Sequence, residues 1–189
     1  AGVVTCKGNI IYLTKGSVYC EIGGVTAYRT TRANTGSVNY ADLNVDINYS
    51  MHPDVTDDKT KVIDRSIFIG GVAGYSTQQM KDSANHGKVS IKGTYAGERI
   101  YFAGVVGYGT LNNTYNYGEV DIDVTSSCTI FIGGIVGGND GTDVRTNIAN
   151  EGTINVKGNY TTIVVGGVAA QNRLPLTGAL NKGAINVTA

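Results

Sequence analysis

The sequence predicts an all-β chain folded as a parallel β-solenoid, a right-handed β-helix of about five and a half coils with 30–33 residues and three faces per coil. Three observations carry this. A glycine doublet inside an apolar run marks a pattern of five copies, with Ala103 replacing the first glycine in one of them; an asparagine-led strand pattern follows each copy; and the charge at one position of that second pattern alternates in sign along the chain.

The first pattern is IFIGGVAGY from Ile67, and it returns as CEIGGVTAY from Cys20, IYFAGVVGY from Ile100, IFIGGIVGG from Ile130 and IVVGGVAAQ from Ile163. Gly71 and Gly104 are 33 residues apart, Gly104 and Gly134 30, and Gly134 and Gly167 33. That period belongs to solenoids and arrays. Gly24 and Gly71 are 47 apart, and the excess falls in the polar segment NYSMHPDVTDDKTKV after Ile47, read as an inserted loop at 48–62. The coils are then 1–19 (partial), 20–66, 67–99, 100–129, 130–162 and 163–189, within a single domain spanning 1–189. Right-handedness follows from the bias of parallel crossovers.

Within the first pattern Ile67 and Ile69 point inward and Phe68 outward, yet Val72, Val105, Ile135 and Val168 fall on the outward parity after the glycines. The doublet is expected to be a corner that resets the pleat, using backbone angles closed to other residues and close stacking of the next coil.

The second pattern reads NYADLNVDI from Asn39, NHGKVSIKG from Asn85, NYGEVDIDV from Asn116, NEGTINVKG from Asn150 and NKGAINVTA from Asn181. Apolar and polar residues alternate, so one face is buried and the other wet. Asn-x-Gly favours left-handed turns, and stacking aligns Asn39, Asn85, Asn116, Asn150 and Asn181 in an amide column. Ala41 replaces the glycine in the first copy and predicts a different local turn there. A third, weaker segment precedes each later asparagine (MKDSA, LNNTY, VRTNIA, LTGAL) and supplies the third face.

If coils stack directly, the outward column of the second strand reads Lys7, Asp46, Lys92, Asp123, Lys157, Thr188, and a neighbouring column reads Asp42, Lys88, Glu119. Strands about 4.8 Å apart reward opposite charges and penalise like ones. Antiparallel hairpins give no reason for alternation between residues so distant in sequence.

Composition narrows the functional classes. Glycine is 27 of 189 residues and charged residues are 16%, against about 25% typically, so turns are frequent and surface charge sparse. Lys+Arg and Asp+Glu are 15 each, which argues against a nucleic-acid footprint or an anionic-membrane patch. Apolar runs such as IVVGGVAA are too short to span a bilayer, so no transmembrane segment is expected. The chain opens at Ala1, and any export signal is expected to lie outside it. AGVVTCKGN at the start matches EGTINVKGN from Glu151, and the chain closes on the same strand at Ala189. Terminal solenoid coils expose strand edges, so adjoining domains or repeats of the same chain, or an oligomer, are expected to cover them.

Three cysteines make no disulfide framework. Cys6 and Cys20 occupy apolar positions and Cys128 is read as a loop residue; buried thiols and a Cys6–Cys20 bridge are the two alternatives. His86 shares the turn column with Tyr40, Tyr117, Glu151 and Lys182 and reads as an exposed turn residue. His52 lies in the inserted loop with Asp54, Asp57 and Asp58, and Asp64 follows; their spacing is not that of an EF-hand, and a solvated loop is favoured over a divalent-metal site. The glycine doublets lack the following helix and lysine of a phosphate cradle. No metal, cofactor or catalytic residue is expected. Parallel β-helices include polysaccharide lyases and hydrolases with clustered carboxylates, whereas here Lys compensates Asp along the face.

The candidate ligand site is aromatic. Phe68, Tyr101 and Phe131 share one outward column, and Tyr28, Tyr75 and Tyr108 another. Tyrosine offers a flat apolar face and a hydroxyl, which suits a strip that binds sugar or protein. Mutual packing of the rings is the plainer alternative.

GGVAGY, GVVGYG and GGIVGG, each followed by Asn-x-Gly-x-[Val/Ile], resemble the GLUG repeats of bacterial secreted and surface proteins, which occur in adhesin-like chains and beside the catalytic domain of some immunoglobulin A-cleaving peptidases. The resemblance covers nearly the whole chain, with Val or Ile at the usual Leu. It implies a bacterial extracellular or cell-surface β-solenoid, secreted or lipid-anchored, that adheres, displays or spaces without catalysis, with a host or microbial surface glycan or protein as partner. The alternative is a carbohydrate-active domain, either a glycan-binding module or a small polysaccharide lyase.

Overall fold

A computed structural model describes residues 2–12, 18–29, 34–51, 65–96, 99–139, 145–173 and 175–188. Its regular elements are all strands, and every pairing between them is parallel. The chain is a parallel β-solenoid.

Second-pattern strands stack in the order Val3–Tyr12, Asp42–Met51, Val89–Tyr95, Val120–Gly133, Ile154–Gly166 and Ile185–Thr188. First-pattern strands stack as Val18–Gly23, Arg65–Gly70, Arg99–Ala103 and the later halves of those same two long strands. Because Val120–Gly133 and Ile154–Gly166 run through both patterns, the two expected faces join into one nine-stranded sheet, with a register shift between Ser126 and Thr129 marking the bend. The third face is a separate eight-stranded sheet containing Thr26–Arg29, Ala73–Asn85, Val106–Asn116, Arg145–Asn150 and Leu176–Asn181. Three predicted faces thus become two hydrogen-bonded sheets.

The glycine doublet divides the core. Ile67, Ile69, Ile100, Phe102, Ile130 and Ile132 pack with second-pattern residues such as Val89, Ile91 and Ile122. Val72, Val105 and Ile135, beyond the doublet, enter a second cluster with Met80, Leu111 and Ile148. The expected parity switch is therefore present, but its cause is close approach and not unusual dihedrals, since none of the doublet glycines has positive φ. A β-carbon on Gly71 would stand 2.7 Å from the Asn85 amide carbon and would overlap the Gly104 carbonyl of the next coil. Gly24, Gly104, Gly134 and Gly167 are held in the same way by Asn39, Asn116, Asn150 and Asn181.

Those asparagines form the expected column. Each donates Nδ2–H to the Oδ1 of the next, over Asn39–Asn85 (2.8 Å), Asn85–Asn116 (2.9 Å), Asn116–Asn150 (2.8 Å) and Asn150–Asn181 (2.8 Å). A second donation goes to the carbonyl two residues on, for example Asn116 to Gly118 at 2.7 Å. In the first copy that acceptor is the Ala41 carbonyl at 2.7 Å, so the alanine leaves the bond in place. Neither the asparagine nor the glycine of Asn-x-Gly is left-handed. Gly87, Gly118, Gly152 and Gly183 are required because a β-carbon would overlap the carbonyl of the equivalent residue one coil back.

Gly8, Gly93 and Gly158 in the second-pattern strands have positive φ, and a further column of left-handed positions lies three residues before each asparagine, at Gly36 (φ 70°), Asp82 (51°), Asn113 (48°), Asn147 (52°) and Gly178 (63°). Their flanking residues pair in register, so they form one column. Asp, Asn and Gly are the residues that visit this region most readily.

The charge column also stacks as expected. Lys7 pairs with Asp46, Asp46 with Lys92, Lys92 with Asp123, Asp123 with Lys157 and Lys157 with Thr188. Lys157 reaches Asp123 at 3.1 Å. In the neighbouring column Lys88 lies 3.5 Å from Glu119 and 3.0 Å from Asp121, and its backbone N–H donates to Asp42 at 2.8 Å. These outer pairs are individually weak.

Two local expectations are corrected. The predicted loop at 48–62 starts too early: Asn48, Tyr49, Ser50 and Met51 continue the strand, with Tyr49 buried and paired to Tyr95. Tyrosine on the inward parity extends the apolar alternation past Ile47. Residues 52–64 lie outside the described residues. Cys128 belongs to Val120–Gly133 and packs against the larger core instead of occupying a loop; the Ser126 hydroxyl accepts its backbone N–H at 3.1 Å. All three cysteines are free thiols.

Candidate functional site

The glycine doublet that separates the two cores also bends the chain toward the outer side of Arg65–Gly70. Phe68, outward on that strand, meets Tyr75 beyond the doublet with ring centroids 4.9 Å apart. Tyr101 meets Tyr108 one coil on at 5.0 Å, edge to face. Stacking along the axis joins the coils, with Phe68–Tyr101 at 5.5 Å, Tyr101–Phe131 at 5.0 Å and Tyr75–Tyr108 at 5.6 Å, all near-parallel. Aromatic pairs of this kind contribute about 0.5–1.5 kcal/mol each beyond burial.

Packing therefore consumes part of the expected strip. Phe68 is 5% exposed and Tyr101 2%, so these two rings form a floor. Tyr75 and Tyr108 stay half-buried above it. Phe131 stacks behind Tyr101 and does not line the cleft described next. Tyr28 pairs through its backbone with Tyr75, and its side chain lies outside the described residues. His52, Asp54, Asp57, Asp58 and Asp64 lie outside them too.

Between the floor and the third face runs a cleft of about 460 Å³. Its floor takes Tyr19 and Glu21 from Val18–Gly23, Ser66 and Phe68 from Arg65–Gly70, and Arg99 and Tyr101 from Arg99–Ala103. These are two columns in strict register: Tyr19, Ser66, Arg99 and Glu21, Phe68, Tyr101. Tyr75 and Tyr108 make the opposite wall, with the small polar residues Ser76, Thr77 and Thr110, and Asn139 contributes from the following coil. The cleft thus crosses the strands and follows the stacking axis.

Of the described lining, only Phe68, Tyr75, Tyr101 and Tyr108 are among the expected site residues. Tyr19 is 51% exposed, with its ring stacked 6.2 Å from that of Phe68. Glu21 is partly desolvated by its surroundings, which raises its carboxyl above the ordinary range. With Arg99 it gives the described residues of the lining one charge of each sign. Tyr19 lies one residue before the CEIGG copy, where the other coils have Ser66, Arg99, Thr129 and Thr162, so the repeat alignment flags the position only when extended by one residue.

A second aromatic array sits at the Asn-x-Gly corner. His86 is exposed there, as expected, and lies between Tyr40 and Tyr117 with ring centroids 4.7 Å from each. The column continues to Glu151, whose carboxylate accepts from Lys182 at 2.7 Å. Among the described residues no group of three or more His, Cys, Asp or Glu side chains is placed to hold a metal ion, and no helix is long and apolar enough to cross a membrane.

Comparison with family models finds no match, and comparisons with curated proteins and with solved structures find none either.

Proposed function

We propose that the chain is a non-catalytic recognition and display module of a bacterial secreted or cell-surface protein, acting in adhesion. The observation that carries this reading is the aromatic cleft on the outer side of a stack locked by the Asn39–Asn181 ladder, since a preorganised scaffold lowers the ordering cost of binding. The resemblance to GLUG repeats supports the same setting. Among the described residues lining the cleft, Glu21 is the single carboxylate, whereas glycoside hydrolysis typically uses a pair of carboxylates.

The test is retention of beads coated with the protein on bacterial and epithelial cell surfaces. Retention is expected, and a Tyr75→Ala/Tyr108→Ala variant is expected to lose it. No retention on any surface overturns adhesion, and release of sugar or unsaturated product from a polysaccharide panel overturns the non-catalytic reading.

A further inference from the structure

We propose that the cleft binds an uncharged linear oligosaccharide lying along the stacking axis, across three successive coils. This rests on the recognition reading above and specifies its ligand class.

The direction of the cleft selects an extended ligand. Its floor repeats Tyr19, Ser66, Arg99 and Glu21, Phe68, Tyr101 at one pair per coil, so the walls present similar spacing along about 10 Å, two strand separations. Tyr75 and Tyr108, in register and stacked with their ring planes within 5° of parallel, give the other wall the same one-per-coil spacing. An extended ligand meets a new pair at each coil, Tyr19 and Glu21, then Ser66 and Phe68, then Arg99 and Tyr101, while a compact ligand leaves most of them unused.

The kind of contact on offer selects a saccharide. Of the floor strands, Arg65–Gly70 and Arg99–Ala103 are paired on both sides, and Val18–Gly23 stands at the end of the described sheet. A peptide added as a strand at that edge would run alongside Val18–Gly23, across the direction of the cleft, and would not follow it over the coils. Recognition falls to side chains instead. Ring faces, serine and threonine hydroxyls and the Asn139 amide suit the alternating C–H faces and hydroxyl edges of sugar rings. Single-stranded nucleic acid also stacks on rings, but it requires a positive groove, and among the described lining residues Arg99 is offset by Glu21. The same neutrality disfavours polyuronates and sulfated chains. Partly desolvated Glu21 is left to accept hydroxyl donors, and Arg99 to donate to ring or hydroxyl oxygens.

The test is calorimetric titration of the whole chain with cello-, manno-, xylo- and chito-oligosaccharides of one to six residues, with polygalacturonate and heparin fragments as charged probes. At least one neutral series is expected to bind, with affinity rising from monomer to trimer or tetramer and then levelling. Tyr19→Ala is expected to weaken that binding at least tenfold and Glu21→Gln severalfold, with both variants keeping the parent's urea midpoint, since Tyr19 is half exposed. Binding only to charged fragments, binding indifferent to Tyr19→Ala, or no binding in any neutral series overturns the proposal. If cell retention persists while every oligosaccharide fails, the ligand class falls and the adhesion reading stands.

Discussion

The Asn85 amide lies against Gly71, with its carbon 2.7 Å from where a glycine β-carbon would stand. Two recurring sequence features are thus one device: the doublet leaves room that the amide column fills, and the column ties consecutive coils together. Asn85 donates to the Gly87 carbonyl at 2.7 Å and to Asn116 at 2.9 Å, and accepts from Asn39 at 2.8 Å. Asn85→Ala breaks all three and leaves buried groups unpaired, so a loss of about 2–4 kcal/mol is expected in urea unfolding. Asn85→Asp is expected to cost more at pH 7, because a carboxylate there faces two acceptors, and to recover in part as pH falls and the acid regains a proton to donate. Equal losses for the two variants at neutral pH would contradict a donor role.

Asp123 sits between Lys92 and Lys157 in the charge column. Asp123→Lys places three like charges on adjacent coils, and a loss of about 1 kcal/mol is expected, exceeding that of Asp123→Asn. The gap between the two variants should narrow in 1 M salt, where the screening length falls to about 3 Å. Salt-independent unfolding midpoints would show that alternation along this column carries no energy.

The alternating column was legible because strand stacking turns distant residues into neighbours, and sign reversal survives any uncertainty about loops. The amide ladder was legible for the same reason. The left-handed column has no single residue type to announce it, although Gly36, Asp82, Asn113, Asn147 and Gly178 stand at one fixed distance before each ladder asparagine. The Asn-x-Gly glycines, by contrast, are conformationally ordinary and sterically required, a distinction set by neighbouring coils and invisible within one repeat. The cleft was half legible. Phe68 and Tyr75 were each placed on an outward column, but their contact depends on which way the corner bends, and no local propensity reports that.

These two kinds of glycine respond differently to a methyl group. A β-carbon at Gly178 has no atom closer than 3.5 Å, so Gly178→Ala meets only the backbone strain of φ +63°, about 1–2 kcal/mol. A β-carbon at Gly152 overlaps the Gly118 carbonyl, and Gly152→Ala must push two coils apart. Thermal unfolding is expected to rank Gly152→Ala well below Gly178→Ala. Gly178→Asn is expected to recover most of the Gly178→Ala loss, since Asn113 and Asn147 already occupy that column. An Asn variant no better than Ala would remove dihedral strain as the explanation.

Cys20 gives a pH signature to the first coil. It pairs in register with Ile67 and packs against the larger core, and burial pushes its thiol up to about 11, with Glu21 and Cys6 adding to the effect. The unfolded thiol ionises near 9.0, so between these values the folded chain holds a proton that the unfolded chain has released. Stability must then fall as pH rises from about 9 through 11, by at most about 2–3 kcal/mol, with no contribution from this group below that window. Cys20→Val, which fills the site without an ionisable group, is expected to remove that part of the decline. At pH 8 the native thiol should react with iodoacetamide at least tenfold more slowly than the same residue in urea, since the thiolate is the nucleophile. Equal alkylation rates in the two states would mean that Cys20 is not held in the core.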